Sequence, residues 1–116
     1  SPQERRARSK IYSSRYILEE NAREMTLMFA ITYHQKVSGD LAGLDRVELL
    51  RIRDVIQRKL VTRPELYGAR LRGELKEYWK LRVGDYRIVY KILNESVFIL
   101  AVGDRKEIYR VATRRN

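Results

Sequence analysis

The sequence predicts an α+β fold, in which an N-terminal strand and helices pack on a small twisted antiparallel sheet with a short C-terminal helix. Two features favour this class. An amphipathic helical segment spans about residues 45–61, and three apolar segments separated by short turns occupy residues 75–103. A helix with one apolar face needs a partner layer to cover that face, and the later segments supply a sheet.

The helical segment carries both a start signal and a periodic apolar face. Asp45 with Glu48 three residues later forms a capping box, in which the first side chain accepts a backbone hydrogen bond at the start of the helix. Apolar residues then recur on one face, at Leu49, Ile52, Ile56 and Leu60. We expect the helix to continue to about residue 61.

The strands follow from alternating apolar residues and from turn residues between them. The predicted elements, in order, are a strand at 27–34, a loop at 62–73, and strands at 75–83, 86–93 and 96–103 joined by turns at 83–86 and 94–95. The segment "SVFILAVG" is apolar on both faces, which is typical of a central strand.

The two ends of the chain carry weaker signals. Asp104 and Glu107 repeat the capping spacing, so a terminal helix is predicted with Arg105 and Lys106 in its first turn. Residues 5–24 have a helical composition interrupted by two serines. We therefore expect a helical or loose N-terminal extension at 1–26 and one domain at 27–116.

The composition limits the chemistry that is available. The chain has no cysteine and one histidine, which predicts no thiolate nucleophile, no disulfide and no metal centre. No apolar run approaches the roughly eighteen residues of a membrane span, and the first residues are too charged for a signal peptide. We expect an intracellular, cytoplasmic protein that is not inserted in a membrane.

The net charge is +10 and lies mainly in the second half. Residues 58–116 contain fifteen basic and seven acidic side chains, whereas residues 28–57 contain four of each. An uneven basic field attracts polyanions, although a basic surface without a partner is equally compatible with the composition. RNA, DNA, a phospholipid surface and an acidic protein all remain possible partners.

Strand alternation sorts the side chains of the predicted sheet onto two faces. The core set is Trp79, Leu81 and Val83, and the opposite, exposed set is Tyr78, Lys80, Arg82, Arg87 and Lys91. Like charges that face each other destabilise a sheet, so such crowding favours an anionic partner. Arg105 and Tyr109 follow the last strand, where a phosphate could bind. The rings of Tyr78 and Tyr109 could stack on a base, and His34 is expected to be a surface residue.

Two stretches of this sequence resemble the RelE/ParE superfamily, the toxins of type II toxin–antitoxin pairs. They are "LRGELKEYWKLRVGDYRIVYKI" and "VFILAVGDRKEIYRV". The specific parts are Leu-x-Gly, the turn Leu-Arg-Val-Gly-Asp-Tyr-Arg and the ending Val-Gly-x-Arg-x-x-x-Tyr. The resemblance covers about residues 28–113. It implies a strand, a helical hairpin, a three-strand meander and a short terminal helix.

The resemblance to the RelE-type members implies an endoribonuclease that cuts messenger RNA in the ribosomal A site and contacts ribosomal RNA. In that reaction the ribose 2′-hydroxyl attacks the adjacent phosphate without a metal or other cofactor. The implied catalytic residues are Lys80 as base or proton relay, Arg87 as phosphate clamp, Arg105 as leaving-group acid or second clamp, and Tyr109 for orientation. The RNA-binding residues are expected to be Arg82, Lys91, Lys106 and Tyr78.

The resemblance leaves two other functions open. One is a ParE-like toxin that poisons DNA gyrase without being an enzyme, and the other is a member that only binds its antitoxin. The ribonuclease function and the ParE-like function both imply a cognate antitoxin with an acidic, amphipathic segment. The chain departs from RelE-type members in having Tyr78 where these can carry a lysine. It also has Asp104 where many relatives have a histidine.

Overall fold

The computed structural model of the protein describes residues 16–18 and 25–116. The strands are β1 (Tyr16–Leu18), β2 (Met25–Leu27), β3 (Ala30–Tyr33), β4 (Ala69–Arg70), β5 (Trp79–Val83), β6 (Tyr86–Leu93) and β7 (Ser96–Asp104). The helices are α1 (Val37–Ala42), α2 (Arg46–Val55), α3 (Pro64–Tyr67) and α4 (Ile108–Arg115). No helix in this part of the chain is long and apolar enough to span a membrane.

The main sheet has five strands in the order β3-β7-β6-β5-β4, so the α+β class is confirmed and β7 lies inside the sheet as predicted. The N-terminal strand β3 joins this sheet by pairing with β7 in parallel, so the sheet as a whole is mixed. A parallel pair requires a long crossover, and here the helices and the meander between the two strands provide it. The meander itself, β5-β6-β7, is antiparallel.

The helix α2 begins as the sequence predicts. The backbone N–H of Glu48 donates to the Asp45 carboxylate at 2.9 Å, which caps the first turn. The helix continues as a π-helical turn, Ile56–Leu60, and ends close to the predicted residue 61. Ile52 and Leu60 are fully buried against the sheet.

Several predicted boundaries are wrong. The segment 62–73 contains α3 and β4 rather than only a loop, and α1 was not identified. The strand predicted from residue 75 begins at Trp79, because the 3₁₀ turn Gly73–Leu75 precedes it. Gly73 has a φ of 65°, a backbone conformation that favours glycine and ends extended structure.

The terminal helix α4 begins at Ile108, so the placement of Arg105 and Lys106 in its first turn is wrong. The Asp104 carboxylate does not cap this helix, and instead accepts from the backbone N–H of Lys106 at 2.6 Å. The backbone N–H of Glu107 donates instead to the backbone carbonyl of Asp104. Both bonds close a turn before the helix, and Arg105 therefore lies in a loop.

The N-terminal extension predicted at 1–26 lies mostly outside the described residues. Within it the structure describes β1, a strand rather than a helix, which pairs antiparallel with β2. Because β2 crosses the expected boundary between residues 26 and 27, the division into an extension and a domain stays a prediction.

The sheet has a hydrophobic core on each face. On the α2 face, Leu81, Val83 and Ile88 are buried under the helix and Trp79 packs beside them, as strand alternation predicts. The other face, called the α4 face below, is covered in part by Ile108 and Ala112 of α4. The expectation that this second face is open is therefore correct only where α4 does not reach.

One buried tyrosine ties the sheet to α3. The hydroxyl of Tyr90 donates to the backbone carbonyl of Pro64 at 2.7 Å, and the side chain is fully buried. Burial raises the pKa of this hydroxyl, which keeps it protonated as the donor. A Cβ at Gly68 would overlap the Tyr90 hydroxyl, so only glycine fits at this position without a local shift.

Candidate functional site

The site is built around the hairpin that joins β5 to β6. Its loop is Gly84–Asp85, closed by the pair Val83 and Tyr86, and Gly84 has a φ of 62° that favours glycine. This register makes Arg82 and Arg87 direct partners across the two strands. The Cβ atoms of directly opposed residues are only about 5 Å apart, so the side chains of these two arginines are neighbours on the α4 face.

Arg87 is held in a defined position by the turn. Its Nη1 donates to the backbone carbonyls of Gly84, at 3.0 Å, and Tyr86, at 2.9 Å, and the side chain is half-buried. Its partner on β7 is Gly103, which has no side chain to compete for the same space. The hairpin therefore preorganises this guanidinium, and its remaining N–H groups can donate to an anion.

Lys80 and Tyr109 meet at the edge of α4. The Lys80 ammonium lies 5.9 Å from the centroid of the Tyr109 ring, within range of a cation–π contact. Lys80 is exposed, whereas Tyr109 is half-buried and packs against the core of the α4 face. The contact brings the last helix and β5 to the same site, although 29 residues separate them in the sequence.

Arg105 is brought to the hairpin by a backbone bond. Its N–H donates to the carbonyl of Asp85 at 2.9 Å, so the loop after β7 lies against the tip of the β5–β6 turn. Lys106 is the next residue in that loop and is exposed. The structure thus groups Lys80, Arg82, Arg87, Arg105 and Tyr109, called the hairpin cluster below, at one end of the sheet.

The cations of the hairpin cluster have no carboxylate partner among the residues whose side chains the structure describes. Among residues 28–116, the structure shows no ion pair between a carboxylate and the side chains of Lys80, Arg82, Arg87 or Arg105. Other cations within residues 28–116 do form ion pairs, as Arg58 does with Asp54. Several unpaired positive charges on one surface repel one another, and an anion placed among them relieves this repulsion.

Tyr86, at the start of β6, adds a neutral hydroxyl to the same end. Partial burial raises its pKa, and the carboxylates of Glu48, Asp45, Asp104 and Asp85 raise it further. These carboxylates disfavour a tyrosinate, so the hydroxyl stays protonated at neutral pH.

Two predicted RNA-binding residues lie elsewhere. Lys91 is four residues beyond Arg87, about 13 Å along β6. Its ammonium lies 3.9 Å from the Glu77 carboxylate and 5.1 Å from the Tyr78 ring centroid. Tyr78 is only 4% exposed, so the prediction that it lies on an open face is wrong. Its ring packs in the core under α4 and offers no surface to a nucleobase.

One residue near the cluster was missed by the sequence analysis. A Cβ built at Gly84 would lie 2.8 Å from Nη1 of Arg51, so this α2 side chain reaches the hairpin turn. Arg51 lies outside the apolar face of its helix, which is the only local signal it gives. Its position over the turn depends on how α2 crosses the sheet, a tertiary property.

The arrangement as a whole is suited to binding a phosphodiester. Guanidinium groups donate paired hydrogen bonds to phosphate oxygens, and a lysine and a tyrosine beside them can position or protonate a ligand atom. In the described part of the chain, no group of three or more histidine, aspartate or glutamate side chains is placed to hold a metal ion.

Comparison with known proteins gives matches over most of the region from β3 to α4. The family model described as the ParE toxin of the type II toxin–antitoxin system matches residues 31–109. The mRNA interferase toxin RelE of Escherichia coli is 36% identical over an alignment of 72 residues. The match covers 55% of this chain and 76% of that protein.

Solved structures show the same fold. The RelBE2 toxin–antitoxin complex of Mycobacterium tuberculosis contains a chain that is 29% identical, with a TM-score of 0.63 over 67% of this chain and 92% of that one. A mutant of E. coli RelE in the free state gives a TM-score of 0.55 at 19% identity, covering 77% of this chain and 98% of that chain. The second likeness concerns the fold alone.

Proposed function

Because this chain belongs to the RelE/ParE superfamily and is a toxin of a type II toxin–antitoxin system, we propose that it is an endoribonuclease that cleaves messenger RNA in the ribosomal A site. The curated relative in E. coli is named an mRNA interferase. The observation that carries the proposal is the hairpin cluster, in which Arg87 is preorganised and the cations have no carboxylate partner within residues 28–116.

In the proposed reaction, the 2′-oxygen of the ribose forms a bond to the adjacent phosphorus while the bond to the 5′-oxygen breaks. The products are a 2′,3′-cyclic phosphate and a 5′-hydroxyl. The 2′-hydroxyl must lose a proton, the phosphorane gains negative charge, and the leaving oxygen must gain a proton. None of these steps requires a metal ion or another cofactor.

Each requirement has a candidate in the cluster. Lys80 accepts or relays the proton of the 2′-hydroxyl, and Arg87 clamps the phosphate and stabilises the phosphorane. Arg105 is the second clamp or the acid for the leaving group, and Tyr109, beside Lys80, orients the nucleotide. Arg82 and Lys106 bind the RNA backbone nearby.

The proposed partners are the message and ribosomal RNA in the cytoplasm, and a cognate antitoxin. The neighbouring M. tuberculosis structure is a complex of toxin and antitoxin. We expect the antitoxin of this chain to present acidic residues to the hairpin cluster, since opposite charge there steers association.

A second candidate function has one observation in its favour. The family model that matches residues 31–109 is that of ParE toxins. A ParE-like chain would poison DNA gyrase without catalysing a reaction. That function has no requirement for unpaired cations grouped around a clamped arginine, and we therefore place it second.

The two functions predict different damage in cells that express the chain. We expect message ends to accumulate at codon-phased positions on translating ribosomes while chromosomal DNA stays intact. The measurement is transcriptome-wide mapping of 5′-hydroxyl ends together with a pulsed-field assay of DNA breaks. Broken DNA with uncut messages would contradict ribonuclease activity and support the ParE-like function.

A further inference from the structure

A basic cavity, separate from the hairpin cluster, lies beside the last turns of α4. It has a volume of about 460 Å³, is open to solvent on one side, and is bordered by the segment after β3 and the last turns of the helix. The lining residues are His34, Gln35, Lys36, Val111, Arg114 and Arg115. Five of the six are polar or charged, and none of them belongs to the hairpin cluster.

The histidine of this cavity presents a donor. Its Nδ1 accepts a hydrogen bond from the backbone N–H of Lys36 at 3.0 Å, so that nitrogen carries a lone pair. This bond leaves the Nε2 side of the ring to donate to a ligand. The ring is half-buried with its centroid 6.3 Å from that of Phe98, which limits its movement.

The cations of this cavity differ in how far they are neutralised. Both terminal nitrogens of Arg115 bind the Asp40 carboxylate at 2.7 Å, so its charge is compensated. Lys36 and Arg114 are exposed, and no carboxylate among residues 28–116 forms an ion pair with either. Within the described residues, the cavity thus combines two positive charges that have no carboxylate partner with an imidazole N–H donor.

We propose that this cavity binds a backbone phosphate of RNA, at a distance from the phosphate that is cleaved. The inference rests on the proposed function and extends it from one phosphate contact to two. Phosphate oxygens accept hydrogen bonds from Lys, Arg and imidazole N–H groups, which are the groups presented here. An acidic protein segment fits less well, because Val111 is the one apolar residue among the described residues of the lining and protein hot spots cluster in well-packed, desolvated pockets.

The sheet order places the two sites on opposite sides of α4. Tyr109 faces β5 through Lys80, whereas Val111 and Arg114 line the cavity with residues that follow β3. Strands β3 and β5 are separated by β7 and β6. One RNA that binds both sites must therefore cross the exposed surface of α4. The phosphate could come from the message or from ribosomal RNA.

The test compares Lys36→Ala/Arg114→Ala with the control Arg46→Ala/Arg53→Ala, which removes the same charge from exposed arginines of α2 on the other face. Two probes are used: a single-stranded RNA with one 2′-deoxy nucleotide, and ribosomes programmed with the same message. Affinity is measured against salt concentration. We expect the first variant to bind at least one probe roughly tenfold more weakly than the control. We also expect the salt slope for the single-stranded probe to fall by about 0.7, which corresponds to one phosphate.

The outcomes separate this inference from the proposed function. If the variant loses affinity for the free RNA, the phosphate belongs to the message. If it loses affinity only for the ribosomes, the phosphate belongs to ribosomal RNA. If the variant binds both probes as the control does, while Arg87→Ala weakens binding or cleavage, the cavity inference alone is overturned. If the variant loses only the antitoxin, the cavity is a protein contact and the inference is likewise overturned. If the wild type neither binds nor cleaves RNA, both proposals are wrong.

Discussion

Replacing Arg87 by alanine is expected to slow message cleavage on the ribosome by about 10²–10³-fold, the usual cost of removing one donor that stabilises transition-state charge. The structure gives the reason for so large an effect. Two backbone carbonyls of the turn hold Nη1 of Arg87, so its guanidinium is already placed before RNA binds. The measurement is the single-turnover rate at saturating toxin, which isolates chemistry from binding.

Two controls make this result interpretable. Arg53→Ala removes an exposed arginine from α2 and should leave the rate within a few-fold of the wild type. Arg87→Lys keeps the charge but loses the planar guanidinium, which can donate two hydrogen bonds to one phosphate. Its cleavage rate should therefore lie between those of the wild type and Arg87→Ala. Thermal unfolding of each variant shows whether the fold is retained. A wild-type rate in a stable Arg87→Ala protein would remove this residue from the mechanism.

Replacing Arg115 by alanine is expected to lower the free energy of unfolding by about 3 kcal/mol, the range for breaking one side of a buried ion pair. The Arg115 and Asp40 side chains are each 12% exposed and bind through two hydrogen bonds. Asp40 also accepts from the backbone N–H of Val102, and Arg115 donates to the carbonyl of Leu100. The substitution would leave the Asp40 carboxylate largely buried without its cation.

Urea unfolding followed by circular dichroism measures this change. The neighbouring exposed residue provides the control, since Arg114→Ala should change stability by less than about 0.5 kcal/mol. The hydrogen bond to Asp40 raises the pKa of Arg115 above its already high value. A raised pKa gives stability that is lost only as pH rises through that value, so the contribution should be constant from neutral to moderately alkaline pH. Equal stability of the two variants would show that this ion pair does not anchor α4.

The parts of the fold set by local sequence were predictable. The capping pair Asp45 and Glu48 fixes the start of α2, and a two-residue turn with glycine fixes the register of β5 and β6. From that register, strand alternation places Arg82 opposite Arg87 without further information. The hairpin half of the candidate site therefore follows from the order of residues along two adjacent strands.

The rest depends on tertiary packing. Tyr78 shares the alternation of Lys80, yet α4 folds back over it and buries its ring. The parallel pairing of β3 depends on where the chain returns after three helices and three further strands, which no local pattern encodes. Likewise, Arg51 reaches the turn, and His34 and Arg114 line one cavity, only because separate elements pack together. The alternation of side chains along a strand does not show whether a helix from elsewhere in the chain covers one face of the sheet.

The most direct test of the account is the dependence of cleavage on a single 2′-hydroxyl. Ribosomes are programmed with two messages that differ only in a ribose or a 2′-deoxyribose at the nucleotide before the cut. If the hairpin cluster grips a phosphate for attack by that hydroxyl, the ribose message yields a 2′,3′-cyclic phosphate and a 5′-hydroxyl, and the deoxy message stays intact. Cleavage of both messages at the same rate, or of neither, would contradict it.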